Sequence, residues 1–170
     1  MEYIDRELAK ALLPERDPMG HKGTFGRVFV LGGCMDYTGA PVFAAEAAAR
    51  MGSGLVFLET PREVWPVVAA RCRSAIAAPL PENLSALLAK AKMLGADAAL
   101  IGPGLGREER LRELAMELAE WLSVPLVLDA DGINAAAEHM DIVRRRRGPT
   151  VLTPHQGEFV RLGGSLAAGR

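Results

Sequence analysis

"DAALIGPGLGREERLRELAMELAEWLSVPLVLDAD", residues 97–131, decides the fold. Its first part, "DAALIG" (97–102), is a short apolar run, and its last, "PLVLDAD" (125–131), is another. Between them "REERLRELAMELAEWL" (107–122) places apolar residues on one side of a helix and charges on the other. Both runs are apolar without alternation, which is the pattern of strands buried on both faces. A strand, a covering helix and a second such strand form a parallel βαβ unit.

The same alternation extends outward in both directions. Upstream, "RVFVLGG" (27–33) reads as a strand ending in glycines. "APVFAAEAAARMG" (40–52) follows as an alanine-rich helix closed by Gly52 at C′. "LVFLET" (55–60) is the next strand, "REVWPVVAAR" a short helix interrupted by Pro66, and "SAIAAPL" a strand before a helix opened by Pro81, Glu82 and Asn83. Downstream, "TVLTP" (150–154) is the last strand, and Glu158, Phe159 and Leu162 fall at helical spacing after it. We therefore expect one three-layer α/β/α domain over residues 1–170, with a mostly parallel sheet and helices on both faces.

Composition narrows the class. Apolar residues make up 49% of the 170 residues and charged residues 24%, with a formal net charge of −1. That balance gives no bulk attraction to nucleic acid or to a membrane surface. The run Arg144–Arg147 reads as a solvated loop or helix end. Cys34 and Cys72 belong to no CxxC pair or Cys/His cluster, so reduced thiols are expected. The opening "MEYIDRELAKALLPERDP" has no apolar core of a leader, and no long uncharged apolar stretch occurs. A cytoplasmic protein is the expectation.

In a parallel α/β sheet, ligands gather outside the carboxyl ends of the strands, and four such ends here carry suggestive loops. In "HKGTFGRVFVLGGCMDYTGAP" (21–41), Gly32 and Gly33 end the strand and Gly39-Ala40-Pro41 opens a helix. Small residues there admit a ligand to the backbone, or else simply make a tight turn. In "LIGPGLGREER" (100–110), Gly102, Gly104 and Gly106 read as a backbone-amide cradle for phosphate, with a spacing unlike the G-x-G-x-x-G dinucleotide fingerprint. In "PLVLDADGIN" (125–134), Asp129 and Asp131 could hold Mg²⁺ through water, orient a hydroxyl or cap the next helix. Asp129 is the better ligand candidate, and Asn134 follows one turn on. In "VLTPHQGEFVRL" (151–162), His155 can donate to a ligand or stack on it, and Glu158 can cap the helix.

Taken in order, "HKGTFGRVFVLGG", "GAPVFAAEAAARMGSGLV", "IGPGLG", "VLDADGIN" and "LTPHQGEFVRL" resemble the ADP-dependent NAD(P)H-hydrate dehydratases, of the ribokinase-like, carbohydrate-kinase type. The resemblance runs from residue 21 to about 163. It implies repair of hydrated NADH or NADPH: the hydroxyl on C6 of the nicotinamide ring is phosphorylated by ADP, or by ATP in eukaryotic members, with Mg²⁺, and phosphate is then eliminated. Ala40, Gly104, Gly106 and His155 correspond to substrate contacts, and Asn134 and Glu158 lie in matching motifs. Gly32, Gly33, Gly39 and Gly102 would shape the loops, and Asp129 and Asp131 would face phosphate or Mg²⁺.

In that family the "TPHxGEF" segment sits mid-domain and is followed by a Lys-Gly segment and a glycine-rich turn bearing the catalytic aspartate. Nothing after Arg161 resembles either. The resemblance therefore implies a domain incomplete after about its sixth strand, whose base lies beyond Arg170. The chain would be a fragment, one half of a split gene, or a short protein that only binds dinucleotides. A sheet left open in this way predicts self-association into a homo-oligomer, or association with a missing half. Rival readings are a small-molecule kinase of the same superfamily and a non-catalytic dinucleotide-binding module. A Rossmann dehydrogenase fits least, because its glycine loop belongs on the first strand.

Overall fold

The computed structural model describes residues 3–166. In chain order the elements are α1 (Arg6–Leu12), β1 (Arg27–Leu31), α2 (Gly39–Arg50), β2 (Leu55–Thr60), α3 (Trp65–Arg71), β3 (Ile76–Pro79) and α4 (Leu84–Leu94). There follow β4 (Ala98–Ile101), α5 (Glu109–Trp121), β5 (Leu126–Leu128), α6 (Asp131–Glu138), α7 (Met140–Arg145), β6 (Thr150–Leu152) and α8 (Gln156–Arg161). The strands form one six-stranded sheet in the order β3-β2-β1-β4-β5-β6. Every pairing is parallel.

Local chemistry accounts for the element boundaries. Asn83 caps α4 by accepting from the Ala86 amide at 3.0 Å, and Gly95, at φ +63°, ends it in the left-handed region. Strong helix formers and a buried stripe of Leu111, Ala115, Met116, Leu118 and Ala119 hold α5. Pro66 does not interrupt a helix: it sits in the first turn of α3, where its missing N–H costs no hydrogen bond. The helix α1 packs no buried residue and rests on its Asp5 cap, which accepts from the Leu8 amide.

Right-handed crossovers place the helices. The chain moves one way through β1, β2 and β3, so α2 and α3 fall on one face. There Val42, Ala45, Val64 and Val68 pack on Val30, Val56 and Leu58. It then returns past β1 and moves the other way, so α4, α5 and α6 fall on the opposite face. Leu87, Met116, Leu118 and Ile133 pack there on Phe29, Leu31, Ile101 and Leu128. The expected three layers are present.

The same geometry leaves one region bare. Leu58, Val30, Leu100, Val127 and Val151 form a continuous cross-strand row on the α2/α3 face. Leu58 and Val30 are fully buried, Leu100 and Val127 half-buried, and Val151 is 55% exposed. Apolar burial thus fades toward β6, the open edge of the sheet.

The arginine run does not behave as one solvated unit. Arg146 donates to the carbonyls of Ala119 and Val124 and to the Thr150 hydroxyl, tying the end of α5 to the start of β5 and to β6. Burial holds its guanidinium below its usual range, whereas Arg144, Arg145 and Arg147 are exposed as expected.

Candidate functional site

The sheet reverses its winding between β1 and β4. Loops leaving these two strands diverge to opposite faces, and the crevice between them is where doubly wound sheets take ligands. Here the two loops are stitched together: the Gly33 amide donates to the Pro103 carbonyl at 3.0 Å, and the Gly102 amide donates to the Leu31 carbonyl at 3.0 Å. Gly104 approaches so closely that a Cβ on it would lie 3.0 Å from the Ala40 methyl.

The glycines of this loop answer first to packing. Gly102, at φ +125°, meets the turn after β5, and an added Cβ would stand 1.9 Å from the Asp129 carbonyl oxygen. No other residue fits there. The loop amides are turned inward as well. Leu105 donates to the Gly102 carbonyl at 3.0 Å, and Gly106 donates to Asp131 Oδ2 at 2.8 Å. A carboxylate thus already occupies the Gly106 amide.

Asp131 is the hinge of the site. Its Oδ1 also accepts from Asn134 Nδ2 at 3.2 Å, and Asn134 Oδ1 accepts from Arg161 Nε at 2.9 Å. A polar chain thus runs from α8 through α6 to the loop after β4. Asp131 makes no cap to its own helix, one of the roles open to it, and instead makes these two bonds. Asp129 accepts from the Thr153 hydroxyl at 2.7 Å, joining the ends of β5 and β6. Between the two aspartates Ala130 is held at φ 49°, ψ −114°, the only non-glycine residue with positive φ among those described. Such strain costs on the order of 1–3 kcal/mol and persists only where the surroundings impose it.

Ala40, Gly104, Gly106 and Asp131 line one cavity of about 670 Å³, together with Asp36, Tyr37, Arg107 and Ala130. Gly106, Asp131 and Asn134 also line an adjoining cavity of about 430 Å³, with Arg107, Arg112 and Arg161. Gly32, Gly33, Gly39, Gly102 and Asp129 do not line the first cavity.

His155 stands on the same rim but lines neither cavity. It caps α8: its Nδ1 accepts from the Gly157 amide at 3.0 Å, and its own amide donates to Glu158 Oε2 at 2.9 Å. Its Nε2 lies 3.2 Å from Glu158 Oε1. Glu158 is buried while the His155 side chain is 67% exposed. Both ring nitrogens of His155 thus face protein partners, Gly157 at Nδ1 and Glu158 at Nε2.

Sequence reasoning missed Tyr37, Arg107, Arg112 and Arg161. Arg161 lay inside the quoted "LTPHQGEFVRL" segment, and Arg107 directly followed the glycine loop. Arg112 is locked by Glu138 at 2.6 Å, which holds that carboxyl below its usual range and lifts the guanidinium.

Fold and crevice define a doubly wound α/β domain, a class whose ligands gather where the winding reverses. A family model described as NAD(P)H-hydrate dehydratase matches residues 28–169, and the chain belongs to that family. It is 39% identical to a bifunctional NAD(P)H-hydrate repair enzyme of Moorella thermoacetica, over 98% of this chain and 34% of the relative. It is 34% identical to an ATP-dependent (S)-NAD(P)H-hydrate dehydratase of Pediculus humanus subsp. corporis, over 90% of this chain and 52% of the relative. The chain thus spans between a third and a half of such relatives' lengths. Among solved structures, a ribokinase-like superfamily protein of Enterococcus faecalis superposes with a TM-score of 0.78 at 28% identity, over 94% of this chain and 56% of that one. The ADP/ATP-dependent NAD(P)H-hydrate dehydratase of Bacillus subtilis, co-crystallised with ATP and Mg²⁺, gives 0.69 at 32% identity, over 92% of this chain and 53% of that one.

Proposed function

We propose that this chain supplies the substrate-binding part of an enzyme that repairs hydrated nicotinamide nucleotides. The substrate is the S epimer of hydrated NADH or NADPH. A phosphoryl group passes from ADP or ATP to the C6 hydroxyl: the nucleotide's terminal P–O bond breaks, releasing AMP or ADP, while the hydroxyl gives up its proton and forms the new O–P bond. Breaking the C6–O bond then releases phosphate, and loss of a proton from C5 restores the ring double bond. Hydroxide leaves poorly and phosphate well, so most of the catalytic work is positioning and charge stabilisation.

The observation that carries this reading is the convergence of Ala40, Gly104, Gly106 and Asp131 on one cavity at the reversal point. Ala40 and Gly104 pack against each other in the wall of that cavity, adding no bulk beyond a methyl group. Asp131 holds Gly106 in place, and Glu158 meets both the backbone amide and the ring Nε2 of His155. Mg²⁺ bound with the nucleotide would neutralise phosphate charge. Among the described residues no three ligating side chains cluster, and Asp129 and Asp131 accept from protein donors. That chemistry fits an ion arriving with the phosphates, not one caged by this chain.

The same engaged carboxylates favour a second reading for the isolated polypeptide, a dinucleotide-binding module without turnover. A general base must be free to reach its proton. Free Cys34 and Cys72 suit a reducing, cytoplasmic setting. The half-bare row ending at Val151 suits self-association, which sedimentation would detect.

The test is to give the purified chain the S-epimer hydrate with ADP and Mg²⁺, following binding by equilibrium dialysis and repair by the absorbance of the restored dihydronicotinamide. Binding without repair is expected. No binding of the hydrate, with phosphorylation of a sugar or vitamin precursor instead, would overturn the reading.

A further inference from the structure

The adjoining cavity of about 430 Å³ has a charge pattern that the repair chemistry does not use. Three arginines, Arg107, Arg112 and Arg161, reach it from the α5 approach, α5 and α8. Arg112 is spent on Glu138 and Glu109. Asp131 accepts with both oxygens from Gly106 and Asn134. Two guanidiniums remain. Arg107 has no hydrogen bond or ion pair among the described residues, and Arg161 gives only its Nε, to Asn134 at 2.9 Å. That single bond anchors the Arg161 guanidinium and leaves its two terminal nitrogens available.

We propose that this cavity holds a phosphate group of a bound nucleotide, gripped by Arg107 and Arg161. Planar guanidinium forks match phosphate oxygens two at a time, and an anion there offsets the surplus of positive charge. The two cavities share Gly106, Arg107 and Asp131, so a dinucleotide seated against Ala40 and Gly104 extends into the second without leaving the protein. The assignment of a dinucleotide rests on the proposed function; the assignment of a phosphate does not.

A dinucleotide offers two phosphate sources, a 2′-phosphate or the pyrophosphate. Calorimetric titration of the full chain with NADPH, NADH and inorganic phosphate separates them, comparing wild type with R107Q/R161Q and with R161K. Losing charge-assisted contacts weakens binding by about tenfold or more. A loss confined to NADPH assigns the 2′-phosphate, and an equal loss for NADH assigns the pyrophosphate. R161K, which keeps charge and loses the fork, falls between. If wild type binds phosphate but neither dinucleotide, and the double variant loses it, the dinucleotide reading fails and the phosphate site stands. Dinucleotide affinity unchanged in the double variant, or no binding of any of the three by wild type, overturns the proposal.

Discussion

Removing the Asp131 carboxylate should loosen the crevice and the fold together. In Asp131→Ala, the buried Gly106 amide loses a 2.8 Å bond to a charged acceptor, and Asn134 loses a 3.2 Å partner. A charge-assisted bond contributes about 1.5–3 kcal/mol and a longer neutral-donor bond about 0.5–1 kcal/mol. The expected loss of unfolding free energy is thus about 2–4 kcal/mol. Asp131→Asn keeps an acceptor without the charge and should lose roughly half as much. Equilibrium urea unfolding followed by Trp65 and Trp121 fluorescence measures both, and an unchanged slope would show that the compactness of the unfolded state is unaltered. The outcome that refutes the reasoning is Asp131→Ala within about 0.5 kcal/mol of wild type. That would mean the Gly106 amide finds water at no cost.

Three further outcomes follow from single sites. Arg146→Met should cost about 2–4 kcal/mol, because the Ala119 and Val124 carbonyls lose their donor, while exposed Arg144→Met should stay within about 0.5 kcal/mol in the same unfolding assay. Ala130→Gly should raise stability by about 1 kcal/mol by relieving positive φ, and Ala130→Val should lower it, as thermal melts would show. Glu59 lies buried beside Lys90 at 2.7 Å, and burial pushes its carboxyl above the usual range, with Lys90 opposing. The folded state therefore holds that proton more tightly than the unfolded one, so Glu59's contribution is full at acid pH and is lost as pH rises through its raised value. Relative to Glu59→Gln, wild type should gain stability on acidification; an identical pH dependence for the two would sink this account.

Much of the layering was legible because burial on both faces leaves a plain signature. "LVFLET" is bounded by Gly54 and Pro61, and the strand occupies those same residues, Leu55–Thr60. The amphipathic stripe of α5 and the Asn83 cap of α4 were equally readable, being local effects. Strand order was not readable, since each buried strand is apolar enough to pair with any other. The glycine loops stood out, but what they meet did not: Gly102 is needed because the turn after β5 passes over it, a contact between segments distant in sequence. For the same reason, nothing in "DADG" says that Asp131 reaches back to Gly106, nor in "RRRR" that Arg146 alone turns inward. The free arginines of the second cavity come from separate segments and meet only after folding.

Whether the crevice at the reversal of the sheet holds a nicotinamide dinucleotide is read out by titrating isotope-labelled chain with NADPH and following amide resonances. Ala40, Gly104 and Gly106 should move together with one saturation curve, while Gly54 and Gly95, at the opposite ends of the strands, stay fixed. Saturable shifts confined to that opposite edge, or none at any concentration, would contradict it.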